Sequence, residues 1–232
     1  MELKNKVIVI TGATQGIGKA LADGLMKEGS EVVVTGHNIE HLEEIKKEGF
    51  FTVKCDVRSE KQVQDMAKAV INKFGHIDLW INNAGIFSNF SPNDEFVDMD
   101  KAHAIIDTNL FGTIFGCRTA LKVMKNDNKG TIVTILSSAA LDATRAKNAK
   151  IYAASKWAMR GYLQALKAEN EGSGISILEV YPGGTKTELY REGKPSSFDD
   201  YMEVDTVAEK IISNLKSETP EPELIIKRPS KM

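Results

Sequence analysis

Two cysteines in 232 residues, neither in a Cys-x-x-Cys pair, leave this chain without a disulfide framework or a thiol redox motif. Cys55 and Cys117 lie far apart and are expected to be reduced thiols of a cytoplasmic protein. Long hydrophobic runs are also missing: nothing approaches the roughly 20 apolar residues that span a bilayer, so no membrane partner is expected. The opening Met1–Lys6 runs straight into a short apolar strand and lacks the h-region and cleavage site of a secretory leader. Neither sign of charge dominates. Lys and Arg number 30 against 32 Asp and Glu, interleaved to a formal net charge of -2, which leaves no basic stripe for a run of phosphates. Nucleic acid is therefore not an expected partner. His41, His76 and His103 stand outside any metal-ligand spacing, and no metal is expected. There are no repeats, low-complexity tracts or linkers either, so 1–232 reads as a single domain with room for one large core.

What is present is a regular alternation. Apolar runs of strand length recur at Val7–Ile10, Glu31–Thr35, Phe50–Cys55, Leu79–Asn82, Thr131–Leu136, Ile175–Tyr181 and Leu224–Ile226. Between most of them the apolar spacing is helical, over Lys19–Lys27, Ile39–Lys47, Glu60–Phe74, Lys101–Met124, Tyr152–Ala168 and Asp205–Leu215. Strand–helix alternation implies right-handed βαβ crossovers, hence an α/β doubly wound, mostly parallel seven-stranded sheet of the Rossmann type. Such sheets bind ligands at the carboxyl ends of their strands, which directs attention to the residues just after each apolar run.

After the first run comes Thr11-Gly12-Ala13-Thr14-Gln15-Gly16-Ile17-Gly18, opening a helix. Strand, glycine turn and helix stand in the order a dinucleotide site needs. Gly12 permits the tight turn, Gly16 lets backbone approach a pyrophosphate, and Gly18 lets the helix pack close to the sheet. The helix N-terminus adds free N–H groups and a positive dipole end. Further along, Tyr152-Ala153-Ala154-Ser155-Lys156 sets a phenol and an ammonium at i and i+4 on one helical face. A phenol of pKa about 10 is a poor base at neutral pH, but a nearby cation stabilises the phenolate. A shift of about three units corresponds to roughly 4 kcal/mol, within reach of a partly desolvated ion pair plus a second positive charge bound nearby.

The Gly-x-x-x-Gly-x-Gly spacing, Asn82-Asn83-Ala84-Gly85 after the fourth strand, Asn109, Ser137-Ser138 after the fifth, Tyr152/Lys156, and Tyr181-Pro182-Gly183-Gly184-Thr185-Lys186-Thr187 after the sixth together resemble the short-chain dehydrogenase/reductase family from about Lys6 to Thr187. That resemblance implies a hydride-transferring oxidoreductase acting on carbonyl or alcohol groups. It makes Tyr152 the acid/base, Lys156 its partner and a ligand of the nicotinamide ribose, Ser138 the holder of the substrate oxygen, and Asn109 the support of a water relay. Ser138 stands one residue farther from Tyr152 than the family's usual interval; Ser137 is the alternative. The same resemblance assigns cofactor contacts to Gly12, Thr14, Gln15, Gly16, Ile17, Gly18, Asp56, Val57, Asn83, Ala84, Gly85, Pro182, Gly183, Thr185 and Thr187, besides Tyr152 and Lys156.

The end of the second strand, Thr35-Gly36-His37-Asn38, carries no carboxylate to repel a 2′-phosphate; Gly36 leaves room and His37 can donate to one. NADP(H) is therefore favoured over NAD(H). Gly184–Val204, with Leu189, Tyr190, Phe198 and Tyr201, reads as a lid over the nicotinamide, the alternative being a surface excursion with tucked aromatics; Phe87, Phe90 and Phe96 are placed on the opposite wall. By resemblance, two long helices pair across a two-fold axis in a homodimer or homotetramer. The rival reading is a catalytically silent cofactor-binding regulatory protein on the same fold.

Overall fold

The computed structural model describes residues 1–89, 98–190 and 194–228. Seven strands run β1 (Val7–Ile10), β2 (Glu31–Gly36), β3 (Phe51–Lys54), β4 (Leu79–Asn82), β5 (Gly130–Ile135), β6 (Ile175–Pro182) and β7 (Glu223–Ile226). Seven α-helices alternate with them: α1 (Gly16–Lys27), α2 (Ile39–Lys47), α3 (Glu60–Phe74), α4 (Met99–Ile106), α5 (Gly112–Met124), α6 (Lys150–Glu169) and α7 (Val204–Lys216). The strands form one sheet in the order β3-β2-β1-β4-β5-β6-β7, with every pairing parallel.

The inner strands β1, β2, β4, β5 and β6 are buried on both faces, which is why they lack an in–out alternation. In β1, Ile8 and Ile10 pack with Leu21 and Leu25 of α1 and Ile211 of α7, while Val7 and Val9 pack with Val63 and Val70 of α3 and Leu121 of α5. Cutting a side chain such as Leu25 to Ala in a core of this density costs about 3 kcal/mol. Helix starts follow local chemistry: Asn38 accepts from His41 N ahead of α2, and Ser59 from Gln62 N ahead of α3. Gly75 ends α3 in the left-handed region at φ 86°.

Strand order reverses between β1 and β4, so the carboxyl ends of these two neighbours open the crevice in which such sheets take ligands. One expected helix, Lys101–Met124, is broken. Asp107–Phe111 forms a π-helical turn between α4 and α5. The extra residue in that turn carries Asn109 into the interior, where it is fully buried, and polar anchoring there outweighs the regular ladder.

Candidate active site

The glycine turn is folded around contacts that tolerate no side chain. Gly12 and Gly16 take φ +61° and +59°, and a Cβ on Gly12 would lie 2.8 Å from Ala84 Cα. A Cβ on Gly18 would meet Asn83 Nδ2 at 2.4 Å and Ala13 Cα at 2.8 Å. The turn is tied to the end of β4 by two polar side chains. Asn83 Nδ2 donates to Thr11 O and Gly12 O, both at 2.9 Å, while Thr11 Oγ1 accepts from Asn83 N at 3.0 Å and Ala84 N at 3.1 Å. Asn83 thus clamps the turn through its side chain. Thr11, unremarked in the sequence, is the other half of the clamp. The first N–H groups of α1, from Gly16 to Gly18, have no partner within the helix, and its first turn holds no acidic residue. A backbone cradle with positive dipole character fits a pyrophosphate.

Gly36 and His37, Asp56 and Val57, and Thr185 and Thr187 stand at or just after the carboxyl ends of β2, β3 and β6. Gly36 is buried against Thr14, whose Cγ2 would be 3.0 Å from a Cβ there, and His37 is exposed beside it. The Asp56 carboxylate is gripped by Arg58, with Nε and Nη2 contacts of 3.0, 3.1 and 2.6 Å. These bonds, aided by the charge of His37, hold it below the usual carboxylate range. Val57 packs against Gly112 at the head of α5. Thr187 approaches Gly16, its Cγ2 lying 3.4 Å from where a Cβ would stand, and Thr185 Oγ1 donates to Gly183 O at 2.9 Å. Gln15 and Ile17 sit in the turn, the first exposed and the second partly buried.

The side chains expected to be catalytic come from the segment after β5, from α6 and from the π turn. Tyr152 and Lys156, one turn apart on α6, are both buried, at 7% and 4% exposure. Lys156 Nζ donates to Ile135 O at 3.1 Å and stands 5.7 Å from the centre of the Tyr152 ring. Burial pushes the Lys156 ammonium down to about 8. Burial raises the Tyr152 phenol, and a hydrogen bond with the Ser137 hydroxyl pulls it back. Desolvation outweighs that one stabilising partner in the protein alone, whereas the sequence expectation of a lowered phenol also counts the positive charge of a bound cofactor.

Of the two serines, Ser137 is the one whose hydroxyl acts on the Tyr152 phenol. β5 ends at Ile135, and Leu136 N still donates to Val180 O at 2.8 Å, so Ser137 is the first side chain free of the sheet. Ser138 opens a 3-10 turn, and Ala139 N donates to Ser137 Oγ at 3.1 Å. Asn109 serves as a staple. Its Nδ2 donates to Ile86 O at 3.1 Å and Ser155 Oγ at 3.0 Å, and its Oδ1 accepts from Ile86 N at 2.9 Å. Its backbone carbonyl accepts from Thr113 Oγ1 at 2.7 Å. Ser155, also missed in the sequence, closes the staple by donating to Tyr152 O at 2.7 Å. Gly85 lies next to this staple, the Asn109 Oδ1 being 3.3 Å from its Cβ position.

The wall beyond Tyr152 is apolar and aromatic. Phe87 meets the Tyr152 ring edge-on at 5.0 Å and Tyr190 at 5.1 Å, and Tyr190 contacts Phe198 at 5.9 Å and Tyr201 at 5.4 Å. Ala139, Ala146 and Ala149 complete the cluster around Tyr152. Phe90 and Phe96 lie outside the described residues. Both thiols are buried and pushed up to about 12, which keeps them unreactive. Among the described residues, no helix is long and apolar enough to cross a membrane.

The family profile described as short chain dehydrogenase matches residues 6–196. An uncharacterized oxidoreductase of Staphylococcus epidermidis is 30% identical over 214 residues, 91% of each chain. Among solved structures, ElxO with NADP bound superposes with a TM-score of 0.85 at 28% identity, covering 96% of this chain and 97% of that one. The 3-ketoacyl-(acyl-carrier-protein) reductase of Brucella melitensis, complexed with NADH, gives 0.86 at 26% identity and 97% of both chains.

Proposed function

The chain belongs to the short-chain dehydrogenase/reductase family, and from that premise we propose that Tyr152 is its acid/base, with Ser137 holding the reacting oxygen. The protein is an NAD(P)-dependent oxidoreductase that works between a carbonyl and an alcohol. The observation that carries the residue assignment is the buried pair of Tyr152 and Lys156, with Lys156 Nζ 5.7 Å from the centre of the Tyr152 ring and bonded to Ile135 O, two residues before Ser137. In reduction the Tyr152 phenol gives its proton to the substrate oxygen, and in oxidation it takes the proton back. Ser137 donates to the same oxygen as charge develops on it. Bound NAD(P)(H) supplies or accepts the hydride. Gly16, Ile17 and Gly18 would hold its pyrophosphate, Lys156 its nicotinamide ribose, and Thr185 and Thr187 the nicotinamide end.

The cofactor proposed is NADP(H) in preference to NAD(H). β2 ends at Gly36 without a carboxylate, His37 is exposed beside it, and the nearby carboxylate of Asp56 is already neutralised by Arg58. Residues 1–232 act as one catalytic domain with 184–204 as its lid. The lid base is pinned, since Thr185 and Met202 pair in a parallel bridge and Met202 N donates to Gly184 O at 3.0 Å. We place the protein in the cytoplasm as a homodimer or homotetramer. Two buried free thiols agree with the first, and exposed Phe111 and Trp157, on the π turn and α6, with the second.

The test is NADPH and NADH oxidation over a panel of aldehydes, ketones and diketones, with cofactor binding measured in wild type and Tyr152→Phe. Turnover that falls about a thousandfold in the variant, with binding retained, supports the assignment. Cofactor binding without turnover on any substrate, in either direction, would instead favour a cofactor-binding regulatory protein.

A further inference from the structure

Behind the catalytic pair, on the same stripe of α6, lies a polar network that the reaction itself does not use. Glu179 of β6 is completely buried, a placement that costs several kcal/mol unless the charge is paired. Lys167 Nζ lies 2.5 Å from its Oε1, and the buried Tyr181 hydroxyl donates to its Oε2. Tyr181 is thereby fixed as a platform. Over its ring, 5.7 Å from the centroid, lies the Arg160 guanidinium, which also faces the Trp157 ring at 6.0 Å. Arg160 Nη2 is 3.9 Å from Glu223 Oε2, and Nη1 donates to Ala140 O at 3.2 Å.

That carbonyl is the far end of the turn that carries the active serine. Ala140 N donates to Ser137 O at 2.9 Å and Ala139 N to Ser137 Oγ at 3.1 Å, so residues 137–140 move as one unit. The near end, Ile135 O, is held by Lys156 Nζ at 3.1 Å. Tyr152, Lys156 and Arg160 follow one another at four-residue steps on α6. One helix therefore supplies the phenol and also grips both ends of the segment bearing the hydroxyl that the phenol meets.

Resting on the assignment of Tyr152 and Ser137 above, we propose that Arg160 is a positioning residue: by holding Ala140 O from the Tyr181 platform, it sets the Ser137 hydroxyl against Tyr152. Without that hold the turn swings on its Lys156 anchor. An ångström-scale error between reacting groups is enough to lose one to two orders of magnitude in rate.

The test is a double-mutant cycle of Arg160→Met with Ser137→Ala, plus Arg160→Lys, which keeps a donor, and Arg160→Gln should the Met variant fold poorly. Two quantities are read. The first is the ultraviolet titration of the Tyr152 phenol, taken as the difference from Tyr152→Phe, which needs no turnover. The second is kcat and KM on whichever carbonyl is reduced. Arg160→Met is expected to raise the pH at which Tyr152 ionises and to lower kcat about tenfold, with cofactor affinity within about twofold. Arg160→Lys should recover most of both, and in the Ser137→Ala background Arg160→Met should change neither. Equal effects in both backgrounds, or an unmoved titration, would overturn the proposal. If Tyr152→Phe turns over like wild type while Arg160→Met still shifts the phenol titration, the acid/base assignment fails and the positioning inference survives.

Discussion

The glycine turn and the aromatic segment proposed as a lid are held in opposite ways. In the turn, every contact is a hydrogen bond or a backbone approach with no slack: Asn83 and Thr11 clamp it, and a Cβ on Gly18 would lie 2.4 Å from its nearest neighbour. In the lid, Tyr190 meets its neighbours through ring edges at 5.1 to 5.9 Å, and the described span is fastened mainly at its base. Ring edges slide at little cost, whereas crossed backbones and buried amides do not. The turn should accordingly govern cofactor affinity and stability together, and the aromatic part of the lid, Tyr190, Phe198 and Tyr201, should govern substrate affinity.

The sharpest separation comes from the residue between the two. Tyr152→Phe keeps the ring that Phe87 packs against and removes only the hydroxyl, so kcat should fall about a thousandfold while cofactor affinity and melting temperature hold. Next in size is Gly18→Ala. Its new methyl must displace Asn83 or the Ala13 backbone, and about 2 kcal/mol of stability should go with at least a tenfold loss of cofactor affinity, read by denaturant unfolding and cofactor titration. A Gly18→Ala protein that bound cofactor normally would show that the turn has slack after all.

Buried Lys156 adds a pH signature to the rigid side. Its folded-state value is lowered from 10.5 to about 8, so below pH 8 the folded protein carries the full cost of a buried charge. Between 8 and 10.5 the unfolded chain binds more protons at this position, and the contribution to stability rises with pH by roughly 3 kcal/mol in all. Tyr152, whose folded value is raised, acts in the opposite direction only above its ordinary value of 10. The difference in unfolding free energy between wild type and Lys156→Met should therefore rise with pH from 7.5 to 9.5, the opposing contribution of the two buried thiols being common to both proteins. The smallest effect belongs to the lid: Tyr190→Ala should raise KM for the carbonyl a few-fold and leave cofactor affinity unchanged. A matching loss of cofactor affinity would mean that the lid and the turn are coupled.

The same contrast explains what could be read from the sequence. Gly12, Gly16, Gly18, Tyr152 and Lys156 are legible because the chemistry dictates residue type: only glycine accepts φ near +60° with backbone crossing at 2.8 Å, and only a phenol beside an ammonium supplies that acid/base. The alternation of strands and helices was legible for the same reason, since two-faced burial demands apolar runs. Thr11, Ser155 and Arg160 left no signal, because their partners are backbone atoms or a neighbouring hydroxyl, which carry no residue-type signature. The interruption of Lys101–Met124 was hidden because a π turn keeps helical composition while shifting one residue inward. The proposal of Ser137 over Ser138 rests on the register at which β5 leaves the sheet, fixed by Leu136 pairing with Val180 on another strand. No local pattern around Ser137 contains that information.

The most direct measurement is kcat at saturating cofactor for Ser137→Ala and Ser138→Ala side by side, each checked for cofactor binding. If the Tyr152–Ser137 pair is the reacting constellation, Ser137→Ala loses about a hundredfold and Ser138→Ala stays within about threefold of wild type. The reverse pattern, with Ser138→Ala the crippled enzyme, would contradict it.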